Sequence, residues 1–322
     1  MRSVIEQSIL KTVAFFDVFN YPLTAEEIWK WLYRPGRKVS LAEVKDILET
    51  SQILQEKLNC TEAFYSLCGR EYTHLIRKHH NNLAERKFNR ALLLIRFYRY
   101  LPFIKMIAIC NTLAYSNTGE DSDIDFFVIA QKDKIWVVRF LTIVCVHVLG
   151  LRPTVKTSRD AFCFSFFISE EVLDIQSIMM HQNDIYSPYW VAQLLPVFDR
   201  EETYQKFFQS NTWITKYLPN VFPNQFAKEL KPYFLSELVA KILALIFSPI
   251  FFGRWFESLY RRAQARIISR NLQEMINVDT RVIVNEHMLK FHSNDRREAF
   301  YKKWRERVHT LIDKEIYNGE SK

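Results

Sequence analysis

Two aspartates one residue apart, Asp123 and Asp125, lead into the apolar run Phe126, Phe127, Val128 and Ile129. The run is short, aromatic or β-branched, and bounded by turn residues, which predicts a buried strand. Ile107 and Ile109 predict a second strand, and Asn111, Ser116, Asn117, Gly119 and Asp121 form a polar turn between the two. Side chains alternate along a strand, so Asp123 and Asp125 share a face. Two carboxylates side by side repel unless something positive lies between them. A hard divalent cation held by carboxylates and substrate phosphates meets that need. The stretch Ala108–Ala130 is therefore expected to build a Mg²⁺ (or Mn²⁺) site at the end of a buried sheet. The plainer alternative is that Asp121, Asp123 and Asp125 form a solvated turn entering a core strand.

The run Ser122-Asp123-Ile124-Asp125, with Ala114 and Asn111-Thr112 upstream, resembles the minimal nucleotidyltransferases of the DNA polymerase β superfamily. Their signature is Gly-Ser or Gly-Gly, then roughly a dozen residues, then Asp-x-Asp between apolar positions. The resemblance covers about residues 100–170. It implies a polymerase β-like mixed sheet with helices, in which Asp123 and Asp125 are catalytic and hold the metal. It also implies that Asn111, Thr112 and Ser122 contact the nucleotide. The activity implied is Mg²⁺-dependent transfer of a nucleoside monophosphate from a nucleoside triphosphate, ATP foremost, to an unidentified hydroxyl acceptor. Three departures stand out. Asn111 replaces the glycine, Tyr115 stands where a basic residue is often found, and the strand expected over Ala161–Ile168 has Ser165 at its centre and no acid. Asp160, Glu170 and Glu171 are the nearest candidates for a third carboxylate. Two other functions are open: a catalytically degenerate nucleotide-binding or regulatory protein, and a DNA-binding regulator.

The elements around this stretch predict an α+β protein. Over residues 1–70, helical spacing from Val4 to Phe16, a capping box at Thr24 and Glu27, and a third start at Ser40 and Glu43 predict three helices. Ile53–Leu58 and Ala63–Leu67 read as a hairpin, so the segment resembles a winged helix-turn-helix domain. Its third helix offers Glu43, Lys45, Asp46 and Glu49, an acidic set for reading a DNA groove. Residues 71–101 predict a connecting basic helix with Arg77, Lys78, Arg86, Lys87, Arg90, Arg96 and Arg99, either a solvated face or a phosphate-tracking one. Residues 102–170 are the expected nucleotidyltransferase core. Residues 171–322 read as a helical C-terminal domain, with a basic stripe at Arg254, Arg261, Arg262, Arg266 and Arg270, and with His292 near the last helix.

Composition sets the outer bounds. The chain has 322 residues, of which 48% are hydrophobic, with few glycines and prolines, which indicates a packed, helix-rich protein. A net charge of +8 favours a polyanionic partner, nucleic acid or nucleotide phosphates, although many soluble proteins are as basic. The cysteines Cys60, Cys68, Cys110, Cys145 and Cys163 show no C-x-x-C spacing. Neither a disulfide framework nor a zinc site is expected, and a reducing cytoplasm fits. Glu6 and Gln7 interrupt the N-terminal apolar residues, so no signal peptide is expected. Ile135–Leu151 and Leu238–Phe252 are apolar but carry Arg139 and Lys241, and are expected to be buried helices. Membrane contact by Leu238–Phe256 is the minor alternative.

Overall fold

The computed structural model describes residues 2–148, 151, 159–180, 184–226, 229–247, 262 and 270–312. The N-terminal segment contains α1 (Arg2–Asp17), α2 (Ala25–Lys30), α3 (Leu41–Thr50), α4 (Gln52–Lys57) and a hairpin of β1 (Leu58–Thr61) and β2 (Phe64–Leu67). Both expected caps are in place. Thr24 and Glu27 close a reciprocal capping box, and the Ser40 hydroxyl accepts the Glu43 N–H at 3.2 Å. The strand expected over Ile53–Leu58 is corrected: Ser51 accepts the Leu54 N–H and starts α4, and pairing begins only at Leu58. Gln52, Leu54, Gln55, Glu56 and Lys57 are all good helix formers, and that preference decides the segment.

Helix α5 (Thr73–Tyr98) leads into a six-stranded mixed sheet. Its strands are β3 (Ile104–Ile109), β4 (Ile124–Ala130), β5 (Phe162–Ser169), β6 (Leu195–Asp199), β7 (Val282–Val284) and β8 (Met288–Phe291), in spatial order β6-β3-β4-β5-β8-β7. Strand β3 runs antiparallel to β4 and β6, β4 parallel to β5, and β8 antiparallel to β5 and β7. A short helix, α6 (Asn111–Ala114), follows β3, and α7 (Ile135–Val148) makes the crossover from β4 to β5. The all-helical reading of residues 171–322 is thereby corrected. Alongside α8 (Tyr186–Gln193), α9 (Thr203–Ser210), α10 (Phe234–Phe247) and a terminal helix Arg297–Leu311, the segment supplies three strands to the sheet. These strands are three to five residues long, too short to show a period of two clearly.

Alternation on the sheet builds two cores. Met106, Ala108, Phe127, Ile129, Phe166 and Ile168 face the N-terminal helices, α8, α9 and the terminal helix. Ile107, Ile109, Phe126, Val128, Phe162 and Phe164 face α5 and α7. Phe126 pairs with Phe164 but Phe127 with Phe166, so Ser165 is an extra residue in β5, a bulge that re-aims the strand beyond it.

Among the described residues no helix is long and apolar enough to cross a membrane. Residues 248–256 of the apolar stretch, and Arg254, Arg261 and Arg266 of the basic stripe, lie outside the described residues.

Candidate functional site

The two aspartates meet at the end of the sheet where β3 finishes and β4 and β5 begin. Backbone pairing fixes their neighbours. The Cys110 N–H donates to the Asp125 carbonyl at 3.1 Å, and Asp125 stands opposite Cys163 in the parallel register of β4 with β5. Cys110, just past the end of β3, thus forms a row with Asp125 and Cys163, and Asp123 lies two residues before Asp125 on the same face. One carboxylate oxygen from each aspartate and the Cys163 sulfur lie within 4.8 Å of one another. All three residues are partly buried. Of the solvated-turn alternative, Asp121 is exposed in the turn as expected, whereas Asp123 and Asp125 are partly buried.

Burial dominates the electrostatics. It raises the Asp123 carboxyl above the ordinary aspartate range, against the pull of its own backbone hydrogen bond and of Lys87. It pushes Asp125 up to about 7, with the Asp123 charge as second cause, while bonds from Asn111 and Cys163 act downward. Burial and both carboxylates hold the Cys163 thiol well above its usual range. Two carboxyls held above their usual range in a poorly solvated site lose that penalty when a divalent cation shares them.

Asn111 orients the pair. Its Nδ2 donates to Asp125 Oδ2 at 2.8 Å, and its Oδ1 accepts from Trp190 Nε1 at 2.9 Å and from the Tyr186 hydroxyl at 3.4 Å. Its φ is +57°, the left-handed region that glycine enters freely and asparagine tolerates better than most residues. The backbone turn is kept where the resemblance calls for glycine, but a side chain stands in the space glycine would leave open. Thr112 is half-exposed in α6, and its carbonyl accepts the Asn117 N–H at 2.8 Å. The Ser122 hydroxyl accepts the Gly119 N–H at 3.2 Å, so it braces the turn that delivers Asp123. Tyr115 packs edge-on against Phe16 and Tyr21, in the N-terminal core.

Among the described residues no third acid joins the cluster. Asp160 pairs with Lys87 and Arg86, each at 3.4 Å. Glu170 and Glu171 stand past the far end of β5, paired with Lys105 and Lys132. Cys163 occupies the position that faces Asp125. The sequence carries no signal for it, because its place opposite Asp125 is set by the parallel register of β4 with β5.

Lys87 does not lie on the basic face expected of this helix. Its side chain is fully buried, and its amine donates to the Glu120 carbonyl at 3.3 Å and to the Ser122 carbonyl, clamping the turn before Asp123. Other cations of α5 are similarly engaged within the chain. Arg77 pairs with Glu27 at 2.6 Å, Lys78 with Glu62, Arg86 with Glu120 at 3.3 Å, and Arg90 donates to the Asp160 carbonyl at 3.0 Å. In α3, Lys45 pairs with Glu26 at 2.6 Å and Glu43 with Arg37 at 2.5 Å.

Beside Asn111 opens a cavity of about 220 Å³ whose walls include Phe166, Tyr186, Trp190, Lys290 and His292. The His292 Nε2 bonds the hydroxyl of the bulged Ser165 at 2.9 Å, and burial, then Lys290, pushes the imidazole down to about 3, so the ring is neutral. The Lys290 amine is brought down to about 8 by burial, then by Arg297. Arg297 is fully engaged, with Asp295 at 2.6 Å, Asp184 at 3.3 Å and the Ile178 carbonyl at 2.7 Å. Aromatic walls with a few convergent polar groups suit a planar organic group.

Comparison of the chain with protein-family models, with curated proteins and with solved structures gave no match.

Proposed function

We propose that this protein is a divalent-metal-dependent nucleotidyltransferase, transferring a nucleoside monophosphate from a nucleoside triphosphate to a hydroxyl acceptor. The observation that carries the reading is the convergence of Asp123, Asp125 and Cys163 within 4.8 Å at the end of a mixed sheet, next to an aromatic-walled cavity. Asp123 and Asp125 would hold Mg²⁺ or Mn²⁺. When bound, such an ion neutralises phosphate charge that develops as the phosphoryl group moves.

The remaining roles belong to the chain. Asn111 fixes the Asp125 carboxylate through its Nδ2, while Trp190 and Tyr186 fix Asn111. Lys87 and Ser122 hold the turn that sets Asp123 in place. Phe166, Trp190 and Tyr186 offer apolar surface to a base or to an aromatic acceptor.

Magnesium- or manganese-dependent release of pyrophosphate from a triphosphate, lost in the Asp123→Ala, Asp125→Ala double variant, is the expected result. Turnover unchanged in that variant would reject the reading.

One observation favours a second reading, a nucleotide-binding protein that no longer catalyses. Asp160 is committed to Arg86 and Lys87, and no third carboxylate joins the pair among the described residues. Nucleotide binding by calorimetry with no label transferred to any acceptor would select it. A DNA-reading role for the N-terminal helices has less support, because α3 is acidic and its Lys45 is paired.

A further inference from the structure

We propose that Cys163 is the third metal ligand of this site and that its sulfur moves the site's preference away from Mg²⁺ towards thiophilic divalent ions, Zn²⁺ foremost. The inference rests on reading Asp123 and Asp125 as a cation site and concerns which cation they hold.

The argument starts from the donor set. Cys163 faces Asp125 directly across the β4–β5 pairing, and its sulfur lies within 4.8 Å of an oxygen from each aspartate. Asp160, Glu170 and Glu171, the acids near β5, are held elsewhere by Lys87, Lys105 and Lys132. The third place at the site is thus filled by sulfur, not oxygen.

Mg²⁺ takes oxygen ligands at short, near-octahedral distances and gains little from a thiol. Thiolate ligands select Zn²⁺ and similar ions, and a zinc ion with three protein ligands keeps a fourth position for water or substrate. An Asp₂Cys set matches that arrangement in the number and kind of its protein ligands. Ligation would release the thiol proton to solvent as sulfur takes the metal.

The test uses the full chain with Cys60→Ser and Cys68→Ser, which remove the two exposed hairpin thiols while leaving the site intact. Cd²⁺ serves as the spectroscopic probe. A sulfur-to-cadmium charge-transfer band in the ultraviolet is expected, retained in Cys110→Ser and lost in Cys163→Ser. The ratio of Zn²⁺ to Mg²⁺ affinity, by calorimetry, is expected to fall about 10–100-fold in Cys163→Ser and to fall also in Cys163→Asp. X-ray absorption of the zinc-loaded background protein should show one sulfur scatterer at about 2.3 Å, a readout that survives misfolding of any Cys163 variant.

A band that persists in Cys163→Ser, an unchanged affinity ratio or an all-oxygen zinc shell overturns the proposal. If Mg²⁺ or Mn²⁺ still binds and binding is lost in Asp125→Asn, the acid-pair reading survives that outcome. Failure of every divalent ion to bind removes both.

Discussion

Asp125 and Cys163 stand opposite each other on adjacent parallel strands, each held by the backbone of a central sheet. A carboxylate and a thiol in that relation are positioned by register rather than by flexible side chains, so little reorganisation is needed when a ligand arrives. The same placement costs stability, because burial and the neighbouring Asp123 charge both disfavour ionised Asp125. Ionising Asp125 therefore strains the folded chain.

That strain gives a pH dependence of defined sign. The folded-state pKa of Asp125, about 7, lies above its ordinary value of 3.8, so between the two the folded chain binds more protons than the unfolded one. The contribution of Asp125 is fully present below about pH 4 and is lost as pH rises through about 7. With chelator present, Asp125→Asn should be more stable than the parent at about pH 8, by roughly 1–3 kcal/mol, and the gap should close towards about pH 5. Denaturant unfolding at several pH values measures it. A gap that widens on acidification would contradict the assignment.

Asn111 separates backbone from side-chain effects. At φ +57°, Asn111→Gly keeps the turn but loses the bonds to Asp125 and Trp190, whereas Asn111→Ala loses the bonds and strains the backbone. The alanine variant should be less stable than the glycine variant by about 1 kcal/mol. Both should weaken metal-dependent turnover through a misplaced Asp125. Equal stabilities in urea titrations would show that the left-handed conformation carries no strain.

Lys87 ties α5 to the turn before the acids. Lys87→Met leaves two backbone carbonyls and Asp160 without their buried partner, at a cost of about 2–3 kcal/mol. Thermal unfolding measures the loss. If Asp160→Asn in the same background restores part of it, the ion pair contributes; if stability is unchanged by Lys87→Met, the clamp is not structural.

The sequence announced some of this and concealed the rest for physical reasons. Caps at Thr24 and Ser40, the strand through Phe126–Ile129 and the long helix over Thr73–Tyr98 all follow from local chemistry, and local chemistry is visible in one dimension. The shared face of Asp123 and Asp125 follows from the two-residue period. Strands β6, β7 and β8 did not show, because short strands are stabilised by neighbours distant in sequence. Cys163 did not show for a related reason: its meaning depends on pairing with a strand more than thirty residues earlier. Lys87 looked like surface because charge runs usually are, and only the fold reveals that its amine is buried against carbonyls.

The N-terminal helices are joined to the sheet by a shared core, which has a consequence for unfolding. Phe15 of α1 stacks on Tyr189 of α8 with centroids 4.2 Å apart, and the Tyr189 hydroxyl donates to the Trp31 carbonyl at 2.8 Å. Trp304 of the terminal helix donates to the Lys11 carbonyl at 3.0 Å. Removing Phe15 opens a cavity between segments that are far apart in sequence, so Phe15→Ala should cost about 3–4 kcal/mol. The loss should appear in one cooperative transition common to the N-terminal helices and the sheet, because neither buries that surface alone. Unfolding followed by tryptophan fluorescence and by far-ultraviolet circular dichroism should therefore coincide in the parent and shift together in Phe15→Ala. A low-temperature transition confined to the N-terminal segment, with the sheet's midpoint unmoved, would show that the two parts fold independently.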